Sequence, residues 1–226
     1  MNANQPRDMN LNSAFAKGGF GVVFAALTAF ATAARGDITQ VGFVPGLGPI
    51  MRAQVDASTF SQTYRRQTMS QWCWAASIAN IFAFYDHPVA QEEIVRTVYG
   101  RVVNLPAFTG SVIAQQVNRT WTDGNGKRFR ARLTAAYDFD ARVFAINNNF
   151  MINELRHERP FLYGNRSHCM VVTAIDFAPS SVVNVGVFDP WPASGGARQL
   201  SQAEIVPMNR GGEMRFLATL TVADVP

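Results

Sequence analysis

Hydrophobic and polar positions alternate in three different rhythms along the chain. The first stretch is an uncharged run from Gly18 to Ala34, GGFGVVFAALTAFATAA, preceded by Arg7 and Lys17 and ending in the small-x-small pattern Ala31-Thr32-Ala33. This layout predicts a secretory signal peptide over 1–33, with an uncleaved membrane anchor or a buried helix as the alternatives. Residues 34–60 hold turns around Pro45-Gly46-Leu47-Gly48-Pro49 and have mixed polarity, which predicts an extended leader or a short pro-segment. Residues 61–226 remain as the folded domain.

Helical spacing follows. From Gln71 to Asp86 the apolar residues fall on every side of a 3.6-residue period, as in a central, largely buried helix. Over 88–99 the pattern is one-sided: Val89, Ile94, Val95 and Val98 face inward, Glu92, Glu93 and Arg96 outward, and Pro88 suits the first turn. Thr109 can cap a third helix over 111–120. Past Trp121 the rhythm changes. Asp123-Gly124-Asn125-Gly126 reads as a turn, and Phe129 to Leu133 alternates as a strand does. A short helix over 150–157 stops at Pro160. Strands are predicted over 160–164, 168–177, 182–188 and 213–222. The run Cys169 to Ile175 is apolar on both faces, so it is a doubly covered central strand. Ser201 to Glu204 forms a capping box. Helices first and strands second predict an α+β fold, a helical lobe packed on an antiparallel sheet or barrel.

Composition narrows the function. The chain has 226 residues, 48% hydrophobic and 16% charged, enough for one domain or two small lobes. The net charge of +4 and pI near 9.4 would suit nucleic acid. The basic residues are scattered, however, and those from Lys127 to Arg132 lie on the wet face of a strand, so no nucleic-acid partner is expected. There is no CxxC, no HExxH and no phosphate-binding glycine loop, and no metal or cofactor is expected.

Two cysteines in an exported chain ordinarily mean one disulfide. The alternative is one reactive and one buried thiol. Cys73 starts the most apolar helix, where the backbone dipole lowers a thiol pKa, and Trp72 and Trp74 flank it. Of the three histidines, His87 and His157 read as exposed. His168 opens the apolar strand after the Gly164–Ser167 loop, well placed to face a helix N-terminus across a cleft. If His168 faces that cleft, strand alternation turns Cys169 to the opposite layer, free and buried. A Cys73–Cys169 bridge would instead give a structural or redox-silenced protein.

The segment from Gln67 through Gln71-Trp72-Cys73-Trp74-Ala75-Ala76 resembles the active-site segment of the papain-like cysteine peptidases. It is most similar to small bacterial members framed as WCWAA, staphopain-like enzymes and effectors delivered into plant cells. Ser167-His168-Cys169-Met170-Val171-Val172 and Phe188-Asp189-Pro190-Trp191-Pro192 follow in the family's order. The resemblance implies Cys73 as nucleophile, His168 as general base and acid, and Asp189 to orient the imidazole. It implies Gln67 as an oxyanion-hole donor, and Trp191, with Trp72 and Trp74, as cleft or shielding residues. The expected reaction is hydrolysis of a peptide bond in a protein or peptide substrate through an acyl-enzyme. The expected protein is a monomer, secreted or periplasmic, without stable membrane association. An acyltransferase or isopeptidase with the same site, or an idle papain-like binding module, are the rival readings.

Overall fold

The protein is described by a computed structural model that covers residues 38–179, 181–193 and 195–225. The segment read as a signal peptide lies outside them. The described chain opens with a hairpin, β1 (Thr39–Val44) and β2 (Gly48–Gln54), followed by α1 (Ala57–Thr63). Gly46 and Gly48 both take left-handed φ values in the hairpin turn, a conformation without steric cost only for glycine. Three helices come next: α2 (Cys73–Phe84), α3 (Gln91–Tyr99) and α4 (Gly110–Gln116). Then β3 (Thr120–Thr122), β4 (Arg128–Asp138) and β5 (Val143–Phe144) lead into α5 (Asn148–Arg156). The rest is β6 (Phe161–Gly164), β7 (Cys169–Ala178), β8 (Ser181–Asp189), β9 (Gly196–Gln199), α6 (Gln202–Ile205) and β10 (Phe216–Asp224).

Every strand pairing in the sheet is antiparallel, in the order β1-β2-β7-β6-β10-β4-β3, with β5 on β4. β8 also pairs with β7, and β9 with β8. β7 is the hub. β8 runs along one edge from Val171 to Ala178, so β6 (opposite 169–172) and β2 (opposite 174–177) must share the other edge. This explains the unbroken apolar run in β7, nearly all of which is buried. The mixed helix-and-antiparallel-sheet class matches the α+β expectation. The segment read as an extended leader contributes β1, β2 and most of α1, with β2 paired to the hub strand.

α2 packs on β7 and carries the centre of the core. Trp74, Ala75, Ile78, Ile81 and Phe82 are all buried on it, which is why no polar stripe shows in its sequence. Phe82 meets Trp121 and Phe129, and Phe60 of α1 meets Phe188 of β8, so aromatic contacts tie helices to sheet at both ends. Each such ring contributes about 1.5–3 kcal/mol by leaving water. Two expectations change. α3 begins at Gln91, with Ala90 as its cap, so Pro88 precedes the helix instead of opening it. His87 is 6% exposed, not solvated: its Nδ1 lies 3.0 Å from Asp123 Oδ2 and its ring stacks on Phe129. The partners that draw it inward are an acidic turn and an aromatic strand residue, both more than thirty positions away.

Candidate active site

α2 starts at Cys73 with Trp72 as its cap residue, and no side chain caps the end. The first-turn N–H groups therefore lack intrahelical partners and point at whatever occupies the space before the helix. The approach segment is held firmly. Gln67 Nε2 donates to the carbonyls of Met69 and Ser70, both at 3.0 Å, and the Trp72 N–H donates to Met69 O. The indole of Trp72 donates to Val103 O at 2.8 Å and that of Trp74 to Leu105 O at 3.3 Å. With both rings turned into the core, the intervening Cys73 side chain is left partly exposed in a cleft.

His168 sits where a tight hairpin joins β6 to β7. Gly164 pairs with Cys169, the Asn165 N–H donates to His168 O, and Asn165 Oδ1 accepts from the N–H groups of Ser167 and His168. The ring Nε2 lies 2.6 Å from Asp189 Oδ1 at the end of β8. A carboxylate only accepts, so Nε2 carries the proton in that bond, and Nδ1 is the nitrogen left for Cys73. Burial disfavours the charged ring, but the hydrogen bond to Asp189, the nearby Cys73 sulfur and the negative charge of both outweigh it, raising the His168 pKa to about 9. Burial likewise works against the Asp189 anion. His168, the Trp191 N–H and Arg198 overcome it and hold that pKa down at about 2.

Arg198 was not signalled by the sequence reading. Its Nε donates to Asp189 Oδ2 at 2.9 Å, while its other nitrogens reach both carboxylate oxygens of Glu204 at 2.9 and 3.1 Å. Glu204 also accepts from the Ser201 N–H, completing the predicted capping box, and from Asn165 Nδ2. A polar ring thus runs from His168 through Asp189, Arg198, Glu204 and Asn165 back to the His168 backbone. A signal existed: β9 folds back on β8 with Asp189 opposite Gly196 and Val187 opposite Arg198, which places Arg198 on the same face as Asp189. β9 is only four residues long, too short for its alternation to be read.

The structure brings Cys73, His168, Asp189 and Trp191 together. Trp191 stands edge-on to the imidazole at 5.9 Å and 83° and is 42% exposed. Trp74 lines the cleft, whereas Trp72 is buried beneath it. Gln67 lies beside the site, its N–H on Pro190 O, but both amide hydrogens are directed at the Met69 and Ser70 carbonyls and its buried Oε1 has no partner among the described residues. Cys169 is free and buried, yet it faces α2 and not the opposite layer. Burial and the nearby Cys73 raise its pKa, and the Ser77 hydroxyl of α2 moderates this without making a well-formed hydrogen bond. Alternation misled because His168 lies in the turn, one residue before the pleat begins. The cleft has a volume of about 130 Å³ and is walled by Trp74, Phe108, Gly110, Asn165 and Phe216 around the two reactive side chains.

A helix-head thiol set against an imidazole at the mouth of an antiparallel strand is the arrangement of the papain-like cysteine peptidases, and the chain is one of them. Within them it belongs to the peptidase C39-like family, whose family model matches residues 55–206. No curated protein sequence matches the chain. Among solved structures it is similar to a double glycine motif protease from an AMS/PCAT transporter, crystallised in complex with the leader peptide. The two are 13% identical with a TM-score of 0.39, over 84% of this chain and 94% of that one.

Proposed function

We propose that the protein hydrolyses peptide bonds through Cys73, His168 and Asp189. The observation that carries this is the division of labour on one ring: Asp189 occupies Nε2 at 2.6 Å, which leaves Nδ1 for the Cys73 thiol in the same cleft. A His168 held protonated stabilises a thiolate beside it. The thiolate adds to the substrate carbonyl carbon, and the oxyanion is received by the Cys73 backbone N–H at the uncapped head of α2. His168 passes its proton from Nδ1 to the leaving amine. It then takes one from the water that adds to the thioester, and collapse of that adduct frees the acid and the thiol.

Gln67 is the second donor in this reading. Its unpaired Oε1 costs about 1–3 kcal/mol, so its present rotamer is not uniquely favoured. Exchanging one loop carbonyl for the oxyanion needs only rotation of the amide. The Trp72-Cys73-Trp74-Ala75-Ala76 block supports placing the enzyme near the small bacterial staphopain-like members. Residues 1–33 act as a signal peptide, and the mature enzyme is secreted or periplasmic and works on protein or peptide substrates.

The test is digestion of a peptide library by wild type and by Cys73→Ala, read by mass spectrometry. Cleavage by the wild type alone is expected. Equal cleavage by both would overturn the assignment.

A further inference from the structure

Two carboxylates in the cleft have no use in the mechanism above: Asp140, which is paired with Arg215, and Asp138, which is not. Asp138 ends β4, opposite Phe216 of β10, and lines the same cleft as Cys73 and His168. It is only 6% exposed. Its Oδ1 accepts the N–H groups of Asp140 and Ala141, both at 3.0 Å, and so fixes the turn after β4. Among the described residues Oδ2 receives no hydrogen bond and no cation pairs with it, although Oδ2 is not sealed from the cleft. A carboxylate this buried ordinarily has a cationic or hydrogen-bonding partner, because leaving water is otherwise costly.

That oxygen is closely packed on one side and meets the cleft on the other. Gly110 lies against it: a Cβ there would collide with both Oδ2 and the Phe216 ring. Two arginines line the same cleft, but neither forms an ion pair with Asp138. Arg215 Nε is bound to Asp140 at 2.6 Å, and Arg166 stands exposed on the β6–β7 turn. The walls between Asp138 and the thiol include Trp74, Phe108 and Phe216, which suit the methylene stem of a long side chain with a charged tip.

We infer that Asp138 is the base of a subsite that receives one lysine or arginine side chain of the peptide substrate. This specificity assignment rests on the peptidase reading of Cys73 and His168. The aromatic walls hold the aliphatic stem, and the ammonium or guanidinium donates to Oδ2. A neutral side chain of the same length fills the space but leaves the carboxylate unpaired.

The experiment compares internally quenched peptides that differ at one position at a time, carrying lysine or norleucine, and arginine or citrulline. Wild type, Asp138→Asn and Cys73→Ala are assayed as full chains. At one position the wild-type kcat/KM is expected to favour the cation by about 10- to 100-fold. That ratio should fall with added salt and drop by about tenfold or more in Asp138→Asn, whose amide oxygen can still accept from the turn. Cysteine-dependent cleavage with a ratio near one at every position, or an unchanged ratio in Asp138→Asn, overturns the subsite and leaves the peptidase intact. Cleavage that survives Cys73→Ala overturns the peptidase reading itself. The wild-type ratio and its salt dependence decide the matter even if the variant fails to fold.

Discussion

Replacing Asp189 by asparagine is the sharpest probe of the site, because Arg198 makes it a different experiment from a simple loss of charge. Asp189 accepts two hydrogen bonds on Oδ1, from His168 and the Trp191 N–H, and one on Oδ2, from Arg198. An amide has one accepting end. With its oxygen toward His168, its NH2 group faces the Arg198 Nε–H at a place where the carboxylate oxygen now sits 2.9 Å away. A charge-assisted bond worth about 1.5–3 kcal/mol becomes two donors in opposition. If that is felt by the transition state, kcat/KM falls by about 10- to 100-fold. The alkaline limb of the profile moves too. His168 is held near 9 partly by Asp189, so without the anion the imidazolium is lost at a lower pH. Adding Arg198→Met removes the opposing donor, and part of the loss should return, a coupling of about 0.5–3 kcal/mol in a double-mutant cycle. Initial rates on one peptide across pH for the four proteins supply every number. Independent, multiplicative losses, or an Asp189→Asn enzyme with an unmoved alkaline limb, would refute the reasoning.

Other consequences are simpler to read. Iodoacetamide at neutral pH should alkylate Cys73 and spare Cys169, whose buried thiol titrates far above its ordinary value; peptide mapping that finds both labelled equally would contradict the site. The His168–Asp189 pair also links stability to pH. The raised histidine contributes fully below about 6.5 and loses its contribution as pH rises through about 9. The depressed aspartate contributes above about 3.8 and loses it as pH falls through about 2. Melting temperatures of wild type minus His168→Ala should therefore converge above pH 9. Finally, His87→Ala leaves Asp123 Oδ2 without its partner, while Oδ1 keeps the N–H groups of Asn125 and Lys127, and opens a gap over Phe129. Urea unfolding should show a loss of about 1–3 kcal/mol, while kcat on a peptide substrate stays at the wild-type value.

Local signals carried much of this. The all-round apolar helix, the both-faces apolar strand and the Ser201–Glu204 cap are short-range patterns, and each appears in the fold near its expected place. What escaped depends on pairing across distance. β2 has no pattern that says it will join β7, because its burial comes from a partner more than a hundred positions away. His87 looked exposed beside Pro88 since Asp123 and Phe129 are distant in sequence. Cys169 was turned the wrong way by applying strand alternation one residue too early. Arg198 carries no pattern of its own in the sequence, and only the β8–β9 register shows that it shares a face with Asp189. At the site, the residues that come together, Cys73, His168, Asp189 and Trp191, could be picked out by type and order. The orientation of the Gln67 amide and the open oxygen of Asp138 were not, since both depend on how loops settle.

The two sides of the cleft are secured by unequal means. One is the β6–β7 turn, anchored by ladder bonds on its strands and by Asn165 and Glu204 behind it. The other, residues 101–109, belongs to no helix or strand and is suspended from the indole N–H groups of Trp72 and Trp74, the Gln71 N–H, which donates to Asn104, and the Tyr99 hydroxyl. Widening the groove for a bulky substrate therefore amounts to lowering a hanging flap. Two of its four suspension points are the residues adjoining the nucleophile, so any load on the segment bears on the backbone that carries the sulfur.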